Sequence, residues 1–159
     1  MQLIDLQTTS SEMVEFTSTL SAMSGDMIEK LFVIEAALKQ LPQVEIPLRH
    51  CFGNKVYVRE MTAPKGSILI GKMHKYKQVN IVIKGDISVL TEDGWKRLKA
   101  GDMFESPAGI KRAGFTHEDT VWTTICGTEE TDVEKAEDEL IIGSYQEFLQ
   151  HKGDSLCLS

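Results

Sequence analysis

The hydrophobic period of the chain changes once, near residue 42, and that change limits what the chain can fold into. Upstream, Met13, Phe16, Leu20 and Met23 recur at helical spacing, and Met27, Leu31, Ile34, Leu38 and Leu41 continue the stripe after one extra residue. Steps of three and four keep these side chains on one helix face, at nearly heptad spacing. Ser24-Gly25-Asp26 interrupts the stripe and predicts either one kinked helix or two helices meeting there. Thr9-Ser10-Ser11-Glu12 has the pattern of a capping box, so the helix should start near residue 10. Pro42 ends the pattern, because proline cannot donate to a helical hydrogen bond.

Downstream the period is two. Val44, Ile46 and Leu48 alternate with polar neighbours, and so do Val56 and Val58. Val79, Ile81 and Ile83 form the clearest strand, followed by Ile87 and Val89 after Gly85-Asp86. Asp93-Gly94 is a hairpin signal, and Val121 to Cys126 is a β-branched run. Many short strands punctuated by glycine predict a sandwich or small barrel. Helix returns at Thr131-Asp132-Val133-Glu134, a second capping box. Residues 128–139 hold seven acids and one lysine, which predicts a largely solvated helix. Ser144 to Gln150 reads as a last short helix. The expected organisation is a helical region over 1–42, a barrel over 43–128, acidic helices over 129–152 and a loose tail over 153–159.

Charge is unevenly spread. The net charge is −7, yet residues 43–112 carry 13 Lys and Arg against 7 Asp and Glu. A basic middle in an acidic protein argues against a long nucleic acid, which needs an extended basic face. It leaves room for a small anion in a local pocket. No apolar run is long enough for a membrane span, and no secretory signal is visible. Cys51, Cys126 and Cys157 are odd in number and widely spaced, which fits neither a disulfide framework nor a zinc pattern. A cytoplasmic location is expected (the host cytoplasm, if a phage encodes the chain).

Two sets of residues keep informative intervals. In the first, Gly66, Lys72, His74, Gln78 and Gly85 follow the spacing Gly, five residues, His-x-His, three residues, Glu, six residues, Gly. In the second, Gly101, Pro107, Gly109, Arg112 and Thr116 follow Gly, five residues, Pro-x-Gly, two residues, His, three residues, Asn. Over roughly residues 43–127 the chain therefore resembles the cupin superfamily. In overall pattern it is also similar to small cupin-like proteins of tailed phages. The resemblance implies a mainly β fold, a small double-stranded β-helix (jelly-roll) barrel, here with N- and C-terminal helices.

The chain departs from the family at the metal ligands. Lys72, Gln78 and Arg112 stand where two His and the Glu would be, and Thr116 replaces the Asn; only His74 keeps its type. Lysine and arginine would repel a cation, and arginine has no lone pair to offer. The expectation is no metal and no cofactor. The same cations suit an anion. Lys72, His74, Gln78, Asn80, Arg112, Thr116 and Trp122 are the expected binding residues, with Trp122 as a stacking face. In a barrel every second residue points inward. Lys72 and His74 should thus share an interior with Gln78, Asn80 and Val82, facing Arg112, Gly114 and Thr116. Val79, Ile81 and Ile83 should point out. The leading expectation is a non-enzymatic binder of a small anionic molecule, such as a nucleotide or nucleotide-derived signal. A phage would use such a protein to sequester the signal as counter-defence. One alternative is a metal-free epimerase of sugar nucleotides, with His74 as base and Tyr76 as acid. Another is an interaction protein whose N-terminal helices are the working surface. A homo-oligomer, through those helices or through barrel faces, is expected in either case.

Overall fold

Strand order sets the architecture. The computed structural model describes residues 2–4 and 10–157, so the capping box read at Thr9 begins outside the described residues. The elements are β1 (Gln2–Ile4), α1 (Ser10–Ala22), α2 (Met27–Leu38), β2 (Leu48–Gly53), β3 (Val56–Ala63), β4 (Ile68–Ile70), β5 (Met73–His74) and β6 (Gln78–Lys84). They continue with β7 (Asp86–Thr91), β8 (Gly94–Lys99), β9 (Met103–Ser106), β10 (Ala113–Thr116), β11 (Thr120–Gly127), α3 (Val133–Leu140), β12 (Ile141–Ile142) and α4 (Tyr145–Cys157). One sheet runs β1-β4-β10-β7-β8 and the other β2-β3-β11-β6-β9, while β12 pairs with β5. All of these pairings are antiparallel. The fold is mainly β: a double-stranded β-helix whose two sheets face each other, with helices before and after it.

Met61, Ala63, Leu69, Val82, Ile87, Val89 and Leu98 fill the space between the sheets. The helical stripe serves a second core. Phe16 and Leu20 of α1 and Leu31 and Ile34 of α2 pack on Ile68, Ile70, Leu90, Ala113 and Phe115, the outer face of the first sheet. Of the two geometries predicted for the stripe, the chain takes two helices. Gly25 turns between them at φ +100°, and the Asp26 side chain caps α2 by accepting from the Glu29 amide at 2.9 Å. The stripe is thus used on the chain's own barrel. A third cluster, with Tyr57, Cys126, Ala136 and Leu140, seats α3 on one barrel end.

Three local readings change. Val44 and Ile46 pack against the inter-sheet core, but their segment is not a strand; β2 starts only after Pro47. Alternation in β3 runs in the other phase: Tyr57, Arg59, Met61 and Ala63 are buried, and Val56 and Val58 lie on the outer side. The last helix runs to Cys157, through residues 153–157 that read as a tail. Among the described residues no helix is long and apolar enough to cross a membrane.

Candidate anion site inside the barrel

A cavity of about 80 Å³ lies between the sheets, toward the end covered by α3. Arg59, Lys72, His74, Gln78, Asn80, Arg112 and Trp122 are in its wall, with Ser106, Phe104 and Thr124. Six of the seven residues expected from the sequence are therefore brought together. Thr116 is not. It lies on the predicted face but four residues beyond Arg112, about 13 Å farther along the strand direction. There its fully buried hydroxyl donates to the Pro64 carbonyl at 2.6 Å and accepts from the Ser67 amide at 2.8 Å, so it fixes a turn. Tyr76 is also absent from the wall: it sits in the β5–β6 connection, 54% exposed. The His74–Tyr76 acid–base pair is thus not assembled.

Each wall residue has a local reason for its position. The frame glycines Gly66, Gly85, Gly101 and Gly109 all have positive φ. Gly85 is the tightest: a Cβ there would lie 2.4 Å from the Asp119 carbonyl oxygen. Gly109 turns the chain before Arg112, and its amide donates to the His74 carbonyl at 2.8 Å. Asn80 organises the floor. Its Oδ1 accepts from Thr124 Oγ1 at 2.9 Å and Trp122 Nε1 at 3.3 Å, and its Nδ2 donates to Ser106 Oγ at 3.1 Å. Ser106 Oγ also accepts from Arg112 Nη1 at 2.6 Å. Trp122 meets Phe104 edge to face at 5.4 Å. Its N–H is engaged in this network, which fixes the orientation of the ring in the wall.

The polar atoms left over are the informative ones. Among the described residues, Arg59 Nη2, Arg112 Nε, His74 Nδ1 and Gln78 Oε1 are buried without a hydrogen-bond partner, and Arg59 Nε has only the longer ion pair to Glu137. All four side chains belong to this one cavity. Buried polar groups are almost always paired, and a guanidinium kept from water without partners is costly. Three of these five atoms are arginine N–H donors, and two of the three have neither a hydrogen bond nor an ion pair, so the site is short of acceptors.

Charge points the same way. Lys72 Nζ pairs with Glu137 of α3 at 2.8 Å, and Arg59 Nε lies 3.6 Å from the same carboxylate. Among the described residues, two cations thus face one carboxylate, and Arg112 has no acidic partner. Burial and the neighbouring Arg59 push the His74 pKa down to about 4, so its ring is neutral at neutral pH. The acidic helix is less solvated than its composition predicts: Ala136 and Leu140 are buried and Glu137 reaches the barrel mouth. Among the described residues no three His, Cys, Asp or Glu side chains converge on a metal-sized site. His117, the other histidine near the second motif, instead bonds Ser88 Oγ at 2.7 Å.

Arg59 and Glu137 were missed from sequence. Arg59 has no place in the motif spacing, and its strand reads in the wrong phase because Val56 and Val58 look like the buried pair. Glu137 is one of seven acids in its segment, and nothing local distinguishes it.

No protein-family model and no curated protein matches the chain. Solved structures do. A cupin-2 domain protein of Shewanella frigidimarina is 14% identical, with 75% of this chain and 98% of that one covered and a TM-score of 0.44. Ethanolamine utilization protein Q of Salmonella typhimurium is 17% identical over 54% of this chain and 71% of its own, at 0.46. KdgF from Halomonas sp. is 19% identical over 53% and 82%, at 0.46. The fold described above rests on this chain's own strand order, which is that of a double-stranded β-helix.

Proposed function

We propose that this protein binds a small anion in the barrel cavity, with Arg59 and Arg112 as the principal donors. The observation that carries the reading is the convergence of orphaned buried N–H groups from two arginines on one cavity. Lys72 contributes charge while its ammonium is held by Glu137. Asn80 and Ser106 hold Arg112 in place, and neutral His74 and Gln78 supply further hydrogen bonds. Size narrows the ligand. Sites for drug-sized molecules span about 300–1,000 Å³, so the cavity takes a carboxylate or phosphate group rather than a whole nucleotide. A nucleotide signal of the kind expected from the sequence fits only with its phosphate inside and its base and sugar outside.

Calorimetric titration and thermal unfolding with inorganic phosphate, acetate, succinate and a nucleotide panel test the reading. A bound anion at a hundredfold excess over its Kd should stabilise the fold by about 2.7 kcal/mol. Arg59→Ala and Arg112→Ala should each abolish that response. A silent panel with well-folded protein would overturn the proposal.

We also propose that copies associate through the outer face of the β2-β3-β11-β6-β9 sheet. The helices cover the other sheet, while Ile83 is 51% and Met103 68% exposed on this one. Val79 and Ile81 share its outward side, as the sequence alternation predicts.

A further inference from the structure

Arg59 and Lys72 belong to two spaces at once. They line the interior cavity, and they also line an open groove of about 510 Å³ bordered by Glu35, Lys39, Leu48, His50 and Val133. Glu137 lines the groove and is not in the cavity wall. Its carboxylate therefore stands at the boundary, against the two cations that an anion entering from the groove would meet first. The contacts are of the kind a ligand carboxylate would make: 2.8 Å to Lys72 Nζ and 3.6 Å to Arg59 Nε. The helix that carries it is attached at its far end. Ile141 and Ile142 pair with His74 and Met73, and the Lys75 amide donates to the Leu140 carbonyl at 2.8 Å. The near end has the Asp132 cap, which accepts from the Lys135 amide at 3.1 Å, and between the two ends only Ala136 is buried against the barrel.

We propose that α3 is a latch over the groove-side mouth of the barrel, in which the Glu137 carboxylate is a tethered stand-in for the ligand's own anionic group. An entering carboxylate or phosphate takes Lys72 and Arg59 from Glu137, and α3 lifts from its N-terminus through Glu137, unseating Ala136, while the β12–β5 pairing stays closed. The groove has the volume to hold the body of a small molecule whose acidic group lies inside. The ligand class is thus an organic acid or phosphate ester, recognised by its anionic end and admitted past a competing carboxylate. This inference rests on the anion-binding reading above.

A latch lowers apparent affinity by the fraction of time the site is free, so removing it must tighten binding. The test compares the natural chain with Glu137→Gln, titrating inorganic phosphate and succinate by calorimetry. Glu137→Gln should bind about tenfold tighter. Hydrogen exchange gives a readout that a purely structural ion pair would not move: saturating succinate should speed exchange at residues 133–137 while protecting residues 72–74. Equal or weaker binding by a folded Glu137→Gln would overturn the latch and leave the anion site standing. So would uniform protection of α3 on ligand addition, a measurement that needs no variant. If neither protein bound either anion, both the latch and the underlying reading would fall.

Discussion

Arg112 is only partly satisfied by its own fold. One of its nitrogens is tied to Ser106 and another is buried without a partner. Replacing it by an apolar side chain of similar length removes an uncompensated charge, and such replacements are often stabilising. Arg112→Met should raise the unfolding temperature of the ligand-free protein while removing its response to anions, as read by thermal unfolding with and without phosphate. A fall in ligand-free stability would mean that the guanidinium is already satisfied. His74 sets a pH dependence. With its pKa at about 4 in the fold and 6.5 when unfolded, the unfolded chain takes up the proton first as pH falls. Stability is therefore complete above about pH 6.5 and declines toward pH 4, by about 3 kcal/mol for this residue. His50 and His117 are shifted downward as well, chiefly by burial, and act with the same sign. Urea denaturation from pH 7 to 4.5 reads the slope, and His74→Gln should flatten it in part.

At the scale of elements, the joints between strands and helices carry the fold. Gly85 and Gly94 have nearly the same φ, +94° and +99°, but a Cβ at Gly85 meets backbone at 2.4 Å while one at Gly94 meets nothing. Gly94→Ala should cost roughly 1 kcal/mol of backbone strain, and Gly85→Ala distinctly more, in parallel denaturation curves. Helix α2 is fastened by an ion pair. Lys111 Nζ lies 2.8 Å from Glu35 Oε2 and 4.3 Å from the centre of the Phe32 ring, with its side chain almost wholly buried. Glu35→Ala would leave that buried ammonium only the Gly71 carbonyl, to which it donates at 3.1 Å, and a loss of about 3 kcal/mol is expected by chemical denaturation. These joints explain what could be read in advance. A glycine that must adopt positive φ leaves a fixed mark in sequence, so the two motif frames gave the barrel, Arg112, His74 and the Asn80 face. Alternation alone does not fix which phase points inward when a strand carries apolar residues on both sides, and β3 does. Arg59 was lost for that reason. Glu137 meets Lys72 only through the path of the whole chain, which no local spacing encodes.

For the molecule as a whole, the two sheets have different fates. The first lies under α1 and α2 and is finished as a surface. The second turns Val79, Ile81, Ile83 and Met103 outward with no helix over them. Light scattering behind size exclusion should return a mass of two or more chains, and Ile83→Lys should shift it to one without lowering the unfolding temperature of the monomer. A single-chain mass for the natural protein would retire that association. Of the helical stripe, Phe16, Leu20, Leu31 and Ile34 are buried on the barrel, while Met27 and Leu41 stay exposed.

Helix α3 and β12 follow every barrel strand in the chain. During synthesis the ten strands of the two main sheets leave the ribosome before Glu137 does. A nascent barrel that closes early therefore presents its cations to the surrounding metabolites, unguarded, for the interval in which residues 133–142 are still being made. If α3 is the latch proposed above, an acid captured at that moment is enclosed as the helix arrives, and protein purified from cells would carry a passenger that chain refolded in anion-free buffer lacks.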